Sequence, residues 1–186
     1  NTDPKTLKQI STGKKDNKFG VDENEFIKLV KYSKISKFLN LNCLSVHIGS
    51  QILSHKPYEK MLKVIDKIIV KTNYKFKFID LGGGIGISYN EAEKRFNFKV
   101  FNSCIKKFLK KHKSKIILEP GRSIIANTGI LISKVIYIKK NKAKNFIILD
   151  AAMNDFMRTA LYGAKHKIIP AVKNSKIINK NFEFVG

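Results

Sequence analysis

Two cysteines, Cys43 and Cys104, are too few and too irregularly placed for a disulfide framework or a zinc site. Both read as core residues. No apolar run approaches the ~20 residues of a membrane helix. The first residues, NTDPKTLKQI, lack the apolar stretch of a signal peptide. A reducing, cytoplasmic setting fits these absences. Acidic residues are also scarce, 14 against 37 Lys+Arg for a formal charge of +23. Such an excess raises nucleic-acid binding as a question. The lysines, however, are scattered as KK, KFK and KHK on expected solvent faces, with no aromatic interleaving for base stacking. No helix-turn-helix, zinc-finger or RNA-recognition motif is found either, so neither nucleic acid nor membrane is the expected partner. With 43% hydrophobic residues, the 186-residue chain can bury a core.

What is present is a repeated layout. LNCLSVHIGS (41–50), YKFKFIDLGGG (74–84) and SKIILEPGRS (114–123) are apolar runs that break into polar or glycine-rich turns. After the first, Pro57 suits the opening turn of a helix, and Tyr58, Met61, Leu62, Ile65, Ile68 and Ile69 recur at helical spacing. After the second, Phe101, Cys104, Ile105 and Phe108 form another stripe. An earlier helix has Asp22 as its cap, Glu25 completing a capping box, and Phe26, Ile27, Val30, Ile35 and Phe38 as its apolar face.

Strand, turn and helix in alternation predict a parallel α/β architecture. From about residue 130, GILISKVIYIKK and NFIILDAAMN read as strands without long helices between them. The expected division is therefore an α/β part over 1–129 and a β-rich part from 130–186. A complete eight-fold barrel takes about 250 residues, so the α/β part reads as a partial barrel and the chain as a fragment.

His47, the Gly82–Gly84 run and Glu119 all fall just after expected strands, where α/β folds keep their sites. The stretch FIDLGGGIGISY (78–89) invites a dinucleotide reading. It fails on spacing, because Gly82, Gly84 and Gly86 give G-x-G-x-G with Ile87 where the fingerprint needs glycine. It fails also on context, since ISYNEAEKRFNF is a polar loop where a helix should begin. The G-K-[ST] of a Walker loop is absent too. What remains is bare backbone, either a tight strand-exit turn or N–H groups able to close on an anion. Taken alone, Glu119 and Arg122 in LEPGR read as a surface ion pair and His47 as a structural histidine. Arg158 and Tyr162, four apart in MNDFMRTALYGA, share a helix face.

Together and in this order, VHIGSQ, DLGGG, EPGRSI and AAMNDFMRTALY resemble the diaminopimelate decarboxylases, within the fold-type III family of pyridoxal phosphate (PLP) enzymes. ISTGKKDNKFGV (10–21) is similar to the family's segment ahead of these motifs. The resemblance implies a PLP-binding (β/α)8 barrel followed by a β domain. It also implies decarboxylation of meso-2,6-diaminopimelate to L-lysine in lysine biosynthesis, in a homodimer with shared active sites.

By that resemblance the phosphate is held by backbone N–H groups of Gly82, Gly83, Gly84, Gly121 and Arg122, with Ser50 a further donor. His47 stacks on the cofactor ring, and Glu119 bonds the pyridine nitrogen. An acid there keeps the nitrogen protonated and the ring a strong electron sink, which favours decarboxylation. Arg122, Arg158 and Tyr162 match substrate-contacting residues, a guanidinium suiting the distal carboxylate of diaminopimelate. No catalytic residue is expected in this chain. The family's Schiff-base lysine matches a position upstream of Asn1, and its G-P-x-C-E-S cysteine one beyond FEFVG. The chain alone is expected to be inactive. Other readings are a decarboxylase of the same fold acting on ornithine, arginine, lysine or carboxynorspermidine, and a non-catalytic PLP-binding protein.

Overall fold

The structure, a computed structural model, describes residues 19–89, 92, 93, 95–172 and 181–186. Most of the segment ISTGKKDNKFGV lies outside the described residues. The chain divides into two compact units, the first built from residues 1–88 and 94–128, the second from 89–93 and 129–186.

In the first unit, helix α1 (Glu23–Ile35) leads to strand β1 (Cys43–Ser45), helix α2 (Lys56–Thr72), strand β2 (Phe78–Asp80), helix α3 (Phe98–Lys111), strand β3 (Lys115–Ile117) and the short helix α4 (Arg122–Ile125). The strands form a parallel sheet in the order β1-β2-β3, with Leu44, Ile79 and Ile116 in one row. Strand residues alternate between faces, and this row faces the helices. Leu44 and Ile79 are buried, and Ile116 packs against the same core.

The expected stripes build that core. Tyr58, Met61, Leu62, Ile65 and Ile69 of α2 and Phe101 and Phe108 of α3 are buried in one cluster with Ile48, Ile52, Leu81 and Ile85. Tyr58, in the first turn of α2, meets Phe101 and Phe96 edge-on with ring centroids 5.1 and 5.8 Å away. Such aromatic pairs add roughly 0.5–1.5 kcal/mol beyond burial.

Three expectations are corrected. Asp22 caps α1, but it accepts from Asn24 N at 2.8 Å, and Glu25 makes no return bond among the described residues. Ile35 and Phe38 are 80% and 96% exposed, because α1 ends at Ile35 and only Val30 and Ser33 are buried in it. Cys43 is exposed rather than core, since it lies in the row opposite Leu44, on the face away from the helices.

The second unit contains strands β4 (Val135–Lys140) and β5 (Asn145–Leu149), helix α5 (Arg158–Tyr162) and strand β6 (Glu183–Val185). Strand β4 pairs antiparallel with β5, and β5 parallel with β6. None of its described hydrophobic residues is buried. No helix among the described residues is long and apolar enough to cross a membrane.

Helices α2 and α3 are also clasped at the surface. Asp66 Oδ1 lies 2.7 Å from Lys111 Nζ and 2.6 Å from His112 Nε2. The Lys111 hydrogen bond, followed by that of His112, holds the Asp66 carboxyl below its usual range. A lowered carboxyl contributes stability above its unfolded pKa, about 3.9, and loses it as pH falls through the folded value. Acid titration followed by circular dichroism is therefore expected to show a shallower loss of stability below about pH 4 in Asp66→Asn than in the parent.

Candidate functional site

The three strands end at one edge, and strand-like pairing runs on beyond them. Val46 N donates to Asp80 O and Glu119 N to Gly82 O, both at 2.9 Å. Ile52 N donates to Gly84 O at 2.9 Å, and Ile52 and Ile85 form a parallel bridge. The loops carrying His47, the glycine run and Glu119 are thus stitched side by side.

The glycines permit this closeness. Gly84 has φ +94°, and a Cβ there would collide with the Gly49 carbonyl. At Gly83 a Cβ would strike the Glu119 carbonyl, and at Gly82 (φ +64°) it would lie 2.6 Å from Val46 O. A side chain at any of the three would push the strand exits apart.

The amides of the run differ in their engagement. Gly82 N donates to Asp80 Oδ1 at 2.8 Å and Gly83 N to His47 Nδ1 at 3.3 Å. The second bond orients the imidazole and makes Nδ1 the acceptor, which leaves the proton of the neutral ring on Nε2. The Gly84 amide donates to no group among the described residues. Buried Tyr58 donates its hydroxyl to Gly83 O at 2.7 Å. Burial pushes the Tyr58 phenol well above its ordinary pKa, so it stays a donor.

The exposed side chain of Glu119 makes no hydrogen bond or ion pair with any described residue. The surface pair with Arg122 that the spacing alone suggests does not form. Arg122 Nη2 instead donates to Ser50 Oγ at 3.3 Å, joining the exits of β3 and β1. Gly121 accepts from Ile124 N and Ile125 N at 3.0 and 3.1 Å. The first unit therefore brings together His47, Ser50, Gly82, Gly83, Gly84, Glu119, Gly121 and Arg122. In the second unit Arg158 and Tyr162 open and close α5, one turn apart. Arg158 Nη1 donates to Tyr89 Oη at 2.9 Å, and Tyr162 is exposed.

Three supporting residues escaped the sequence reading. Asp80 is only 7% exposed and accepts from Gly82 N and, at 2.9 Å, from Ser45 Oγ. Its signal is the Asp two residues before a glycine, the pattern of an Asx turn. Tyr58 was legible only as part of a core stripe. Gln51, at φ +61°, clamps Ile87 through Nε2 to its carbonyl at 2.6 Å and Oε1 from its amide at 3.3 Å. It closes the VHIGSQ motif, but its spacing alone does not mark the clamp.

The donor set fits a phosphorylated pyridine aldehyde. Among the described residues, anion donors stand at the Gly84 amide and the Ser50 hydroxyl proton. A carboxylate unpaired among the described residues suits a protonated ring nitrogen, and an oriented imidazole suits a flat ring.

Comparison with known proteins agrees. Residues 1–126 match the family described as pyridoxal-dependent decarboxylase, pyridoxal binding domain. Diaminopimelate decarboxylase of Aquifex aeolicus is 44% identical over 174 residues, 90% of this chain and 41% of that protein. The Helicobacter pylori J99 enzyme of the same name is 43% identical over 171 residues, 90% of this chain and 42% of its own. A crystal structure of Helicobacter pylori diaminopimelate decarboxylase complexed with L-lysine superposes with TM-score 0.86 at 42% identity, covering 94% of this chain and 44% of that one. The lysine/ornithine decarboxylase of Vibrio vulnificus, 18% identical with TM-score 0.73, shares the fold. The chain spans about two fifths of the length of the curated relatives it matches.

The buried Asp80 yields a test of the scaffold. Asp80→Ala strands a buried N–H and is expected to lower the unfolding free energy by about 1–3 kcal/mol. Asp80→Asn keeps an acceptor for Gly82 N and should cost less than half of that in the same denaturant titration. Equal losses in the two variants would contradict the proposed role of its oxygen.

A parallel sheet with glycine, histidine and glutamate at one edge, matched over most of its length by one family, settles the kinship: the chain belongs to the pyridoxal-dependent decarboxylases, and its first unit is part of their PLP-binding β/α barrel.

Proposed function

We propose that the full-length protein containing this chain decarboxylates meso-2,6-diaminopimelate to L-lysine and CO2 in lysine biosynthesis, in the cytoplasm and as a homodimer. The expected division stays with this reading, 1–129 contributing to the barrel and 130–186 opening a β domain. The observation that carries it is Glu119, a carboxylate without a partner among the described residues, fixed through its backbone to the glycine run.

Bound PLP supplies the sink for the electron pair released when the Cα–carboxylate bond breaks. The chain's own residues set the conditions. The Glu119 carboxylate would accept a hydrogen bond from the protonated ring nitrogen and so keep that nitrogen cationic. His47, oriented by Gly83 N, would stack on the cofactor ring. The amides of Gly84, Gly121 and Arg122 and the Ser50 hydroxyl hold the phosphate, while Gly82 and Gly83 serve through the shape of the run. Arg122, Arg158 and Tyr162 receive the substrate, Arg158 by pairing with the carboxylate that is retained in the product. A substrate without that carboxylate gains nothing from the guanidinium, which favours diaminopimelate over ornithine.

The decisive assay supplies the full-length protein with PLP and either diaminopimelate or ornithine, and measures L-lysine and CO2. L-Lysine from diaminopimelate, with ornithine nearly inert, is expected; consumption of ornithine alone would overturn the assignment. In the same assay Glu119→Gln is expected to lower kcat by roughly 10²–10³, the scale on which a preorganised charge stabilises a transition state. The cofactor's absorbance should remain, because the phosphate donors are untouched.

A further inference from the structure

Arg158 is half-buried at the start of α5, yet it pairs with no carboxylate among the described residues. Its partner is a neutral phenol. Nη1 donates to Tyr89 Oη at 2.9 Å, and the guanidinium carbon lies 5.5 Å from the centroid of the same ring. A hydrogen bond and a cation–π contact thus fix both the position and the tilt of the planar group without neutralising its charge.

Tyr89 is itself held. Its amide donates to Glu93 Oε2 at 2.8 Å, and its ring meets His166 edge-on at 5.2 Å. His166 packs in turn against Phe156 at 4.6 Å. Glu93 therefore anchors the backbone of Tyr89, while His166, backed by Phe156, packs against its ring.

We propose that Tyr89 is a positioning residue for Arg158, holding one N–H so that the remaining N–H groups of the guanidinium are presented to the substrate's retained carboxylate. This rests on the reading of Arg158 as a substrate residue. An arginine free to rotate loses side-chain entropy on pairing with a carboxylate, and a preoriented one loses less. A carboxylate partner in place of Tyr89 would orient the group equally well but would compete for it. The phenol orients without competing, which suits a site for an incoming anion. Tyr89 follows Gly84 by five positions in the sequence. One loop thus carries both the glycine run and the residue that aims the substrate arginine.

The test uses the full-length, PLP-loaded protein and two ligands that differ by the carboxylate, L-lysine and cadaverine, with affinities measured by calorimetry. Tyr89→Phe retains the ring for His166 and removes only the hydroxyl. It is expected to weaken L-lysine binding about tenfold, one hydrogen bond to a charged group, and to leave cadaverine within about twofold. Equal weakening of both ligands, or of neither, overturns the positioning role. Arg158→Ala, measured in parallel, should abolish the preference for L-lysine. If it does while Tyr89→Phe is silent, Arg158 stands as the substrate residue and the role of Tyr89 fails. If Arg158→Ala keeps the preference, the assignment of Arg158 itself is wrong.

Discussion

The structure of the site depends on one constraint, the approach of neighbouring strand exits across Gly82, Gly83 and Gly84. The carbonyls of Gly49 and Glu119 occupy the space where side chains of this run would project. That closeness lets Glu119 N reach Gly82 O and Ile52 N reach Gly84 O. It also brings Ser50 and Arg122, 72 residues apart in sequence, into one hydrogen bond. Because the strands are parallel and in register, all their exits lie on one side, and side chains from separate segments converge without long loops.

The run is also pinned from below. Asp80 puts a buried carboxylate under Gly82, and Tyr58 reaches up from α2 to Gly83. A buried charge is costly to desolvate unless donors surround it. Here the donors are the glycine amide and Ser45, so the cost is offset by bonds that hold the site's own backbone. The groups left unengaged among the described residues, the Gly84 amide and the Glu119 carboxylate, therefore sit on a fixed frame. A frame that need not reorganise when charge develops is what electrostatic stabilisation requires.

One face of the parallel sheet is packed and the other is not. Leu44 and Ile79 are covered by helices, whereas Cys43, Lys115 and Ile117 are exposed. Parallel sheets are ordinarily buried on both faces, and in a barrel the second face is the interior, filled by side chains of the other strands. The second unit is barer still, with β4 exposed along its length.

The apolar periodicity of α2 and α3 and the exits at His47, Gly82 and Glu119 were legible in the sequence, because each is set by local spacing and by the choice between glycine and a side chain. The family motifs were legible for the same reason: they are short and contiguous. Partner choice was not. Arg122 lies three residues from Glu119 yet bonds Ser50, Asp80 turns back onto Gly82, and Arg158 rests on Tyr89. Ile35 and Phe38 fitted a helical stripe but lie outside the core, since the helix stops before its pattern does. Sequence by itself determined which elements form and which residue types stand at the strand exits, for these follow from backbone sterics and hydrophobic burial along the chain. Only the tertiary structure decided which polar groups are spent on one another and which remain for a ligand, because hydrogen-bond satisfaction depends on neighbours that folding alone brings within reach.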